Sequence, residues 1–202
     1  MNQRERKRAA IIEAAIGEFL ENGFQGSSMD AISARAEVSK RTVYNHFASK
    51  EALFQAIVLQ LFQLSAEQQD YSYHCDISLE QQLTAIAQRK IEMFRDEHMH
   101  GLVRVIFAEC IHSPHLISEA LQQFQEQEQG LDSWISAAIT DGRFKKADPH
   151  YTAEQFMGLI KSVTFWPQLL MGQPMPEEQK CQLIIKDSVT MFLNYYAEPR
   201  AE

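Results

Sequence analysis

The chain has 202 residues, of which 45% are apolar and 23% are charged, and its formal net charge is −8. It contains no apolar run near the roughly 18 residues that span a bilayer, and no apolar signal segment follows its polar, basic start, so we expect neither a membrane span nor secretion. The three cysteines are widely spaced and odd in number. This spacing excludes a complete disulfide set and a paired metal-binding motif, and it favours the cytoplasm.

Charge is distributed unevenly along the chain. Residues 1–50 contain eight basic and six acidic side chains, a balance of +2, whereas the remaining residues have a balance of −10. Phosphate binding requires local positive charge, so an acidic body with a mildly basic head suggests that nucleic acid binds at the head. The body is then left for a different task.

Apolar residues recur with helical period along almost the whole chain, and no alternating run indicates a sheet. We therefore predict an all-α fold of about nine helices. The predicted helices are Arg4 to Asn22, two short helices that begin at Ser27 and Ser39, Lys50 to Gln68, Leu79 to Asp96, Met99 to His112, Pro114 to Thr140, Thr152 to Met171 and Glu177 to Tyr196.

The segment Met29 to Phe47 has the spacing of a helix-turn-helix, with two helices of about two turns joined by a tight turn. At about 100° per residue, a buried Val43 places Phe47 beside it and places Arg41 and Asn45 on the opposite, exposed side. Arginine and asparagine are the side chains that bind guanine and adenine edges with two hydrogen bonds in the major groove. The pattern therefore predicts that the second helix reads DNA.

Two cations, Lys40 and Arg41, stand in the first turn of that second helix. The helix macrodipole disfavours positive charge there by roughly 0.3 to 1 kcal/mol for each residue. A phosphate drawn to the free N–H groups at the helix start would reverse this effect. An ordinary solvated Lys-Arg pair remains the alternative.

The stretch GFQGSSMDAISARAEVSKRTVYNHFASKEALF resembles the DNA-binding signature of the TetR/AcrR family of one-component regulators, and the resemblance covers roughly Arg4 to Ile57. Glu37 and Arg41 depart from it, since the family commonly has glycine at both positions. The resemblance implies that the DNA backbone is held by Ser28, Thr42, Tyr44, His46 and Lys50. It implies that bases are approached by Lys40, Arg41 and Asn45. For His46, a packed and hydrogen-bonded ring is an equal alternative.

The stretch Ala147 to Gly172 resembles the C-terminal domain of the AefR-like subgroup of the same family. The TetR/AcrR resemblance implies a DNA-binding domain over residues 1–50 and an effector-binding and dimerisation domain over residues 51–202. It also implies a homodimer formed by the helices 152–171 and 177–196. We expect a repressor that binds a palindromic operator and is released by a small, mostly apolar ligand.

A set of mostly aromatic residues in the body could line the cavity for such a ligand. The candidates are Met93, Phe94, Phe107, Trp134, Phe165 and Trp166, with Arg104 and Glu109 as polar contacts. Core packing is the competing interpretation for each of them.

Two other classes of protein compete with the regulator. A metal protein or enzyme could use His98, His100, Cys110, His112 and His115, but His98 and His100 point to different sides of a helix and Pro114 interrupts the frame. No catalytic or cofactor-binding motif occurs, so we predict no enzyme activity, no cofactor and no metal. A helical interaction module that does not bind DNA would leave Arg41 and Asn45 without a role.

Overall fold

The computed structural model describes residues 2–67, 71–112 and 130–198. In these ranges the backbone forms helices and one isolated bridge between Phe144 and Ala197, without a β-strand, which confirms the all-α prediction. The helices are α1 (Gln3–Gly26), α2 (Met29–Arg35), α3 (Lys40–His46), α4 (Lys50–Glu67), α5 (Leu79–Phe94), α6 (Glu97–His112), α7 (Gly130–Thr140), α8 (Pro149–Thr164), α9 (Trp166–Met171) and α10 (Glu178–Tyr196). Over the same ranges, none of the helices is both long and apolar enough to cross a membrane.

Helix α1 begins at a reciprocal cap. The Asn2 side chain accepts a hydrogen bond from the Glu5 backbone N–H at 2.9 Å, and the Glu5 carboxylate accepts one from the Asn2 backbone N–H at 2.8 Å. The helix buries an apolar stripe that includes Ile11 and Ala15, and its regular geometry is interrupted at Gly23, whose φ is 69°. The predicted stop at Asn22-Gly23 is therefore present, and a short turn continues the segment to Gly26.

Serine caps start the two short helices that follow. Ser39 accepts a hydrogen bond from the Thr42 N–H at 3.1 Å, as predicted for the start of α3. The prediction that Ser27 starts the preceding helix is wrong by one residue, because Ser28 caps α2. The Ser27 hydroxyl instead lies 2.6 Å from the Gly23 carbonyl oxygen, to which it donates at the end of α1.

The described residues form two compact units. The first combines those of Met1–Ala66 with those of Glu97–Gln127. Its apolar core brings together side chains of α1, α2, α3, α4 and α6, among them Ile11, Ile32, Val43, Phe54 and Leu102. The predicted functional boundary after residue 50 stays a prediction, because compactness does not test where DNA binding ends.

Helix α6 is also joined to α1 and α4 by polar contacts within this first unit. His98 lies 3.2 Å from the Glu13 carboxylate through Nδ1 and 3.0 Å from the Gln60 side-chain nitrogen through Nε2. Both contacts are satisfied when Nδ1 donates to Glu13 and Nε2 accepts from Gln60. One side chain at the start of α6 thus connects the helices that flank the helix-turn-helix.

The second unit combines the described residues of Glu67–Asp96 and Glu128–Glu202. Aromatic rings fill its core, and Trp134 makes edge contacts with Tyr73 and Phe144 at centroid distances of 5.6 and 5.7 Å. The Trp134 indole N–H donates to the Gln82 side-chain oxygen at 3.0 Å. Both the apolar and the polar part of this tryptophan are therefore satisfied in the core.

Two predicted helices differ from the structure. The helix expected from Thr152 to Met171 is broken at Phe165, where φ is −136° and ψ is −60°, and a new helix begins at Trp166. Pro167 stands in the first turn of this new helix, where its missing N–H costs nothing, whereas inside a continuous helix its ring would clash with the preceding turn. Of the helix expected from Pro114 to Thr140, residues 114–129 lie outside the described residues, and α7 forms the rest.

Candidate nucleic-acid interface

Helix α3, which the sequence predicts to read DNA, has the burial pattern that its sequence predicts. Val43 is completely buried and Phe47 is 5% exposed, whereas Arg41 and Asn45 are exposed on the other side. No hydrogen bond or ion pair within the described residues uses the side chain of either exposed residue. One helical turn therefore presents an arginine fork and a carboxamide with their donors and acceptors available to a DNA base.

The turn between α2 and α3 has both hydrogen bonds of a Schellman C-cap, and its central residue, Glu37, has a positive φ. The Val38 N–H bonds to the Ser33 carbonyl at 3.1 Å, and the Glu37 N–H bonds to the Ala34 carbonyl at 3.2 Å. This pair of bonds requires a left-handed backbone between them, and Glu37 supplies it with a φ of 53°. Glutamate thus adopts a conformation that glycine adopts more easily, and the turn still fixes the angle between α2 and α3.

Lys40 forms a surface ion pair in the DNA-free protein. Its ammonium nitrogen lies 2.5 Å from the Asp30 carboxylate on α2, and the two side chains are 64% and 58% exposed. No acidic residue stands in the first turn of α3 to offset Lys40 and Arg41. An exposed pair of this kind contributes little, so a phosphate can replace the carboxylate at small cost.

Three of the predicted backbone contacts lie at the surface near the start of α2 or on α3. The Ser28 oxygen accepts a hydrogen bond from the Ala31 N–H at 3.1 Å, which leaves the hydroxyl proton available to an outside acceptor. The Thr42 hydroxyl lies 2.8 Å from that of Ser39, and the Tyr44 side chain is 53% exposed. Each can donate to a phosphate oxygen without disturbing the fold.

Lys50 is the predicted DNA-backbone contact that lies on α4, and its side chain is directed toward the end of α1. Its ammonium nitrogen donates to the carbonyl oxygens of Phe24 at 2.5 Å, Ser27 at 2.9 Å and Gln25 at 3.5 Å, and it lies 4.5 Å from the Phe24 ring centroid. These carbonyls belong to the end of α1, which has no basic residue in its last turn. Lys50 therefore completes that helix end, and a phosphate contact would require it to exchange one of these bonds.

His46 borders a basic recess that the sequence did not predict. A pocket of about 440 Å³ is lined by Gln3, Arg4, Lys7, Thr42, Asn45 and His46. The pKa of His46 is lowered first by burial and then by the nearby cations Arg4, Arg8 and Lys7. The run of basic residues at the start of α1 was the available signal, but its position beside α3 depends on tertiary packing.

The predicted ligand contacts do not form a single group. In the second unit, Phe165 lies between Phe94 and Trp166, with centroid distances of 4.8 and 4.9 Å. Met93 is buried, and Trp134 belongs to the separate aromatic core around Phe144. Packing accounts for Trp134 completely, whereas Trp166 is 37% exposed. A ligand role for any of them stays a prediction.

Arg104, Phe107 and Glu109 lie on α6 in the first unit. Arg104 is exposed and Phe107 is half-buried. Glu109 is 4% exposed, and its Oε1 atom has no hydrogen-bond partner in the described part of the chain. Burial raises the pKa of the adjacent Cys110 thiol, and the Glu109 charge adds to that shift. A buried carboxylate with an open acceptor is suited to a donor group on a ligand.

The alternative metal site finds no support in the described ranges. They contain no group of three or more His, Cys, Asp or Glu side chains arranged to hold a metal ion. The side chain of His112 and the whole of His115 lie outside those ranges.

Helices α9 and α10 each leave large apolar side chains at the surface. On α10, Leu183, Met191 and Tyr195 are 47%, 54% and 66% exposed, and they fall within about 120° around the helix. On α9, Leu170 and Met171 are 68% and 65% exposed. The opposite side of α10 packs into the second unit through residues such as Ile184 and Phe192. Helix α10 therefore has two apolar sides, and the described residues cover one of them.

Family profiles match both parts of the chain. A profile described as "Bacterial regulatory proteins, tetR family" matches residues 11–57, and one described as "AefR-like transcriptional repressor, C-terminal domain" matches residues 81–198. The first match contains the helix-turn-helix, and the second contains most of the body.

Individual proteins agree with the profiles. The HTH-type transcriptional regulator UidR of Escherichia coli is 53% identical over 53 residues, which span 26% of this chain and 27% of that protein. The match thus covers about a quarter of the length of UidR. A HTH-type transcriptional regulator of Bacillus subtilis, YhgD, is 27% identical over 79% of this chain and 83% of its own length.

Solved structures extend the likeness to the whole chain. A TetR family transcriptional regulator from Pseudomonas syringae is 38% identical over 99% of this chain and 100% of its own, with a TM-score of 0.86. A structure described as the flavonoid-responsive regulator FrrA is 28% identical over 98% of this chain and 100% of its own, with a TM-score of 0.75.

Proposed function

Because the chain belongs to the tetR family of bacterial regulatory proteins, and is thus a HTH-type transcriptional regulator and not an enzyme, we propose that it is a cytoplasmic repressor that binds a palindromic operator as a homodimer. A small, mostly apolar ligand releases it from the operator. The observation that carries this proposal is the exposed pair Arg41 and Asn45 on α3, because their hydrogen-bonding groups are not used within the described protein.

DNA binding is tested by selecting bound sequences from random duplexes at low salt and without added ligand. A palindrome should be enriched, with half-sites about one helical turn apart, because a two-fold dimer presents two copies of α3. Arg41→Ala should relax base preference at one position in each half-site by roughly 1 to 3 kcal/mol. Lys146→Ala removes an exposed cation in the second unit and serves as the matched control.

Failure to enrich any sequence would sink the repressor proposal. An Arg41→Ala variant with the same base preference as the wild type would instead show that α3 is oriented differently on DNA. Recovery of direct repeats rather than a palindrome would contradict the two-fold dimer while leaving DNA binding in place.

The apolar side chains that α9 and α10 expose support the proposed homodimer of the helices 152–171 and 177–196. Leaving Leu183, Met191 and Tyr195 in water is energetically unfavourable for a single chain. A second copy of the same surface would bury them. The Leu183→Glu, Met191→Glu double variant should sediment as a monomer at micromolar concentration. Gln182→Glu, about 100° from Leu183 on the same helix, should remain dimeric. A wild-type monomer would contradict this part of the proposal.

The proposed ligand response has two supports in this chain and one in a relative. Glu109 is a buried carboxylate with an open acceptor, and Phe107 is a half-buried ring on the same helix. Helix α6 packs against α1 and contacts α4 through His98, so a ligand that displaces α6 acts directly on the helices beside α3. FrrA, similar over nearly the whole chain, is described as flavonoid-responsive.

A ligand screen tests this response, with flavonoids included among the compounds. An effector should raise the melting temperature and lower operator affinity about 5- to 150-fold, which corresponds to a coupling of roughly 1 to 3 kcal/mol. Thermodynamic linkage requires operator DNA to weaken effector binding by the same factor. If every compound that stabilises the protein leaves operator affinity unchanged, the effector proposal fails.

A further inference from the structure

The pocket of about 440 Å³ beside α3, which we call the basic pocket, is formed by two helices that are distant in sequence. The start of α1 provides Gln3, Arg4 and Lys7, and the end of α3 provides His46. Arg4 and Lys7 are exposed, and none of the ion pairs between described residues uses either of them. Two unpaired cations therefore converge on one recess.

Asn45, one of the two proposed base contacts, also lines the basic pocket. A DNA strand that brings a base edge to Asn45 also brings the phosphates that border the groove beside that base. The hydroxyl of Thr42, on the same wall, adds a donor suited to a phosphate oxygen. The pocket thus combines positive charge, hydrogen-bond donors and proximity to the reading residue.

We propose that the basic pocket binds one phosphate group of the operator backbone, and that His46 takes up a proton when this phosphate enters. This inference rests on the proposed function, since it needs the chain to bind DNA. It adds Arg4 and Lys7 to the interface and couples operator binding to pH. The N–H groups at the start of α1 are partly satisfied by the cap between Asn2 and Glu5, so the side chains provide the attraction.

The charges around His46 give the direction of the pH effect. In the free protein, burial and then the cations Arg4, Arg8 and Lys7 lower the pKa of His46 and so favour the neutral ring. The guanidinium of Arg8 lies 5.2 Å from the Phe47 ring centroid, next to the histidine in sequence. A bound phosphate offsets these charges and favours the protonated ring.

Two further charged groups lie on the elements around His46. Glu5 borders a neighbouring recess of about 360 Å³ that His46 also lines, but its carboxylate is hydrogen-bonded to Asn2. Lys50 on α4 is directed to the carbonyl oxygens at the end of α1. The Glu5 carboxylate is already occupied, and Lys50 is a cation. The entering phosphate is therefore the anion that would change the protonation of the His46 ring.

Linkage fixes the sign of this effect. A group whose pKa is higher in the complex than in the free protein strengthens binding at pH values below its free pKa. That contribution is lost as the pH rises through its pKa in the complex. Operator affinity should therefore fall as the pH rises through the pKa of His46 in the complex, by at most on the order of tenfold per pH unit for each subunit.

The charge test compares two substitutions of adjacent residues. Lys7→Gln and Arg6→Gln each remove one exposed cation from α1, but only Lys7 lines the basic pocket. In a salt titration of operator binding, Lys7→Gln should make the slope of log affinity against log salt shallower by about 0.9 for each phosphate that is no longer neutralised. Arg6→Gln should change it far less. Equal changes for the two variants would overturn the phosphate site.

The proton test uses His46→Gln, with the exposed His74→Gln in the second unit as its control. His46→Gln should abolish the fall in affinity with pH, and His74→Gln should keep it. Ring NMR of the wild type should show the His46 pKa rising when operator duplex is added, and rising less with inorganic phosphate alone. An unchanged pKa on operator binding, or a pH dependence that survives His46→Gln, would overturn proton uptake. A wild type that selects no DNA at all would instead refute the proposed function itself.

Discussion

Replacing Glu37 with glycine should stabilise the first compact unit, although no contact is added. Glu37 has a φ of 53°, where an L-residue pays roughly 1 to 2 kcal/mol because its Cβ crowds the backbone. Glycine has no Cβ, but it loses about 0.5 to 1 kcal/mol more than other residues in conformational entropy on folding. The difference predicts a net stabilisation of about 0.5 to 1 kcal/mol.

Charge adds a second, separable effect at this position. The Glu37 carboxylate follows the C-terminal end of α2, where the helix dipole disfavours negative charge by roughly 0.3 to 1 kcal/mol. Glu37→Ala removes the charge but keeps the Cβ, so it isolates this effect. The free energy gained by Glu37→Gly beyond that gained by Glu37→Ala then measures the relieved backbone strain less the extra conformational entropy that glycine loses on folding.

Urea unfolding of both variants at one protein concentration provides the measurement, since dimerisation makes stability depend on concentration. Because the left-handed turn itself is kept, Glu37→Gly should select the same operator sequence as the wild type. If alanine stabilises as much as glycine, the strain argument is wrong. A changed operator preference would show that the Glu37 side chain, and not only its backbone, orients α3.

Three further substitutions test the local contacts. Ser39→Ala removes the cap of α3 and should lower the free energy of unfolding by about 1 kcal/mol in urea titrations; an unchanged value would mean that the cap is dispensable. Trp134→Phe removes the hydrogen bond to Gln82 and should cost about 0.5 to 1.5 kcal/mol by the same measurement, with no loss of operator binding. The pKa of His150 is raised by its hydrogen bond to Asp132, so Asp132→Asn should lower it in ring NMR titrations. Any contribution of this exposed pair is present at low pH and fades as the pH rises through the raised pKa.

Helix type and most helix positions could be predicted from the sequence because local signals suffice for them. The apolar period identifies α1, α4 and α10, and the Ser39 cap and the buried Val43 orient α3. The choice between Ser27 and Ser28 could not be made locally, since either hydroxyl can cap a helix. It is decided by the end of α1, whose carbonyls accept the Ser27 hydroxyl.

The break at Phe165 had a local signal that the apolar period concealed. Pro167 cannot lie inside a continuous helix without disrupting it, yet the apolar residues on both sides keep the spacing of one helix.

The aromatic candidates show a different limit of prediction from sequence. Trp134 and Trp166 look alike in sequence, but only the three-dimensional packing separates a core residue that is 1% exposed from one that is 37% exposed.

The residues that carry the family resemblance fall into two groups: those whose side chains stabilise the helix-turn-helix and those whose side chains are not used within it. The Lys50 ammonium is occupied by carbonyls at the end of α1, and the Ser28 oxygen accepts the N–H that starts α2, so both build the helix-turn-helix even without DNA. The side chains of Arg41 and Asn45 make no hydrogen bond or ion pair within the described residues, so under the proposed function they act only when a base is present. Substitutions of the first kind should therefore lower stability and affinity together, whereas substitutions of the second kind should change which sequence is bound while the melting temperature stays the same. Arg41 stands where the resemblance leads us to expect glycine, so, if the proposed function holds, the selected operator should differ from those of relatives that have glycine there, at the bases assigned to Arg41.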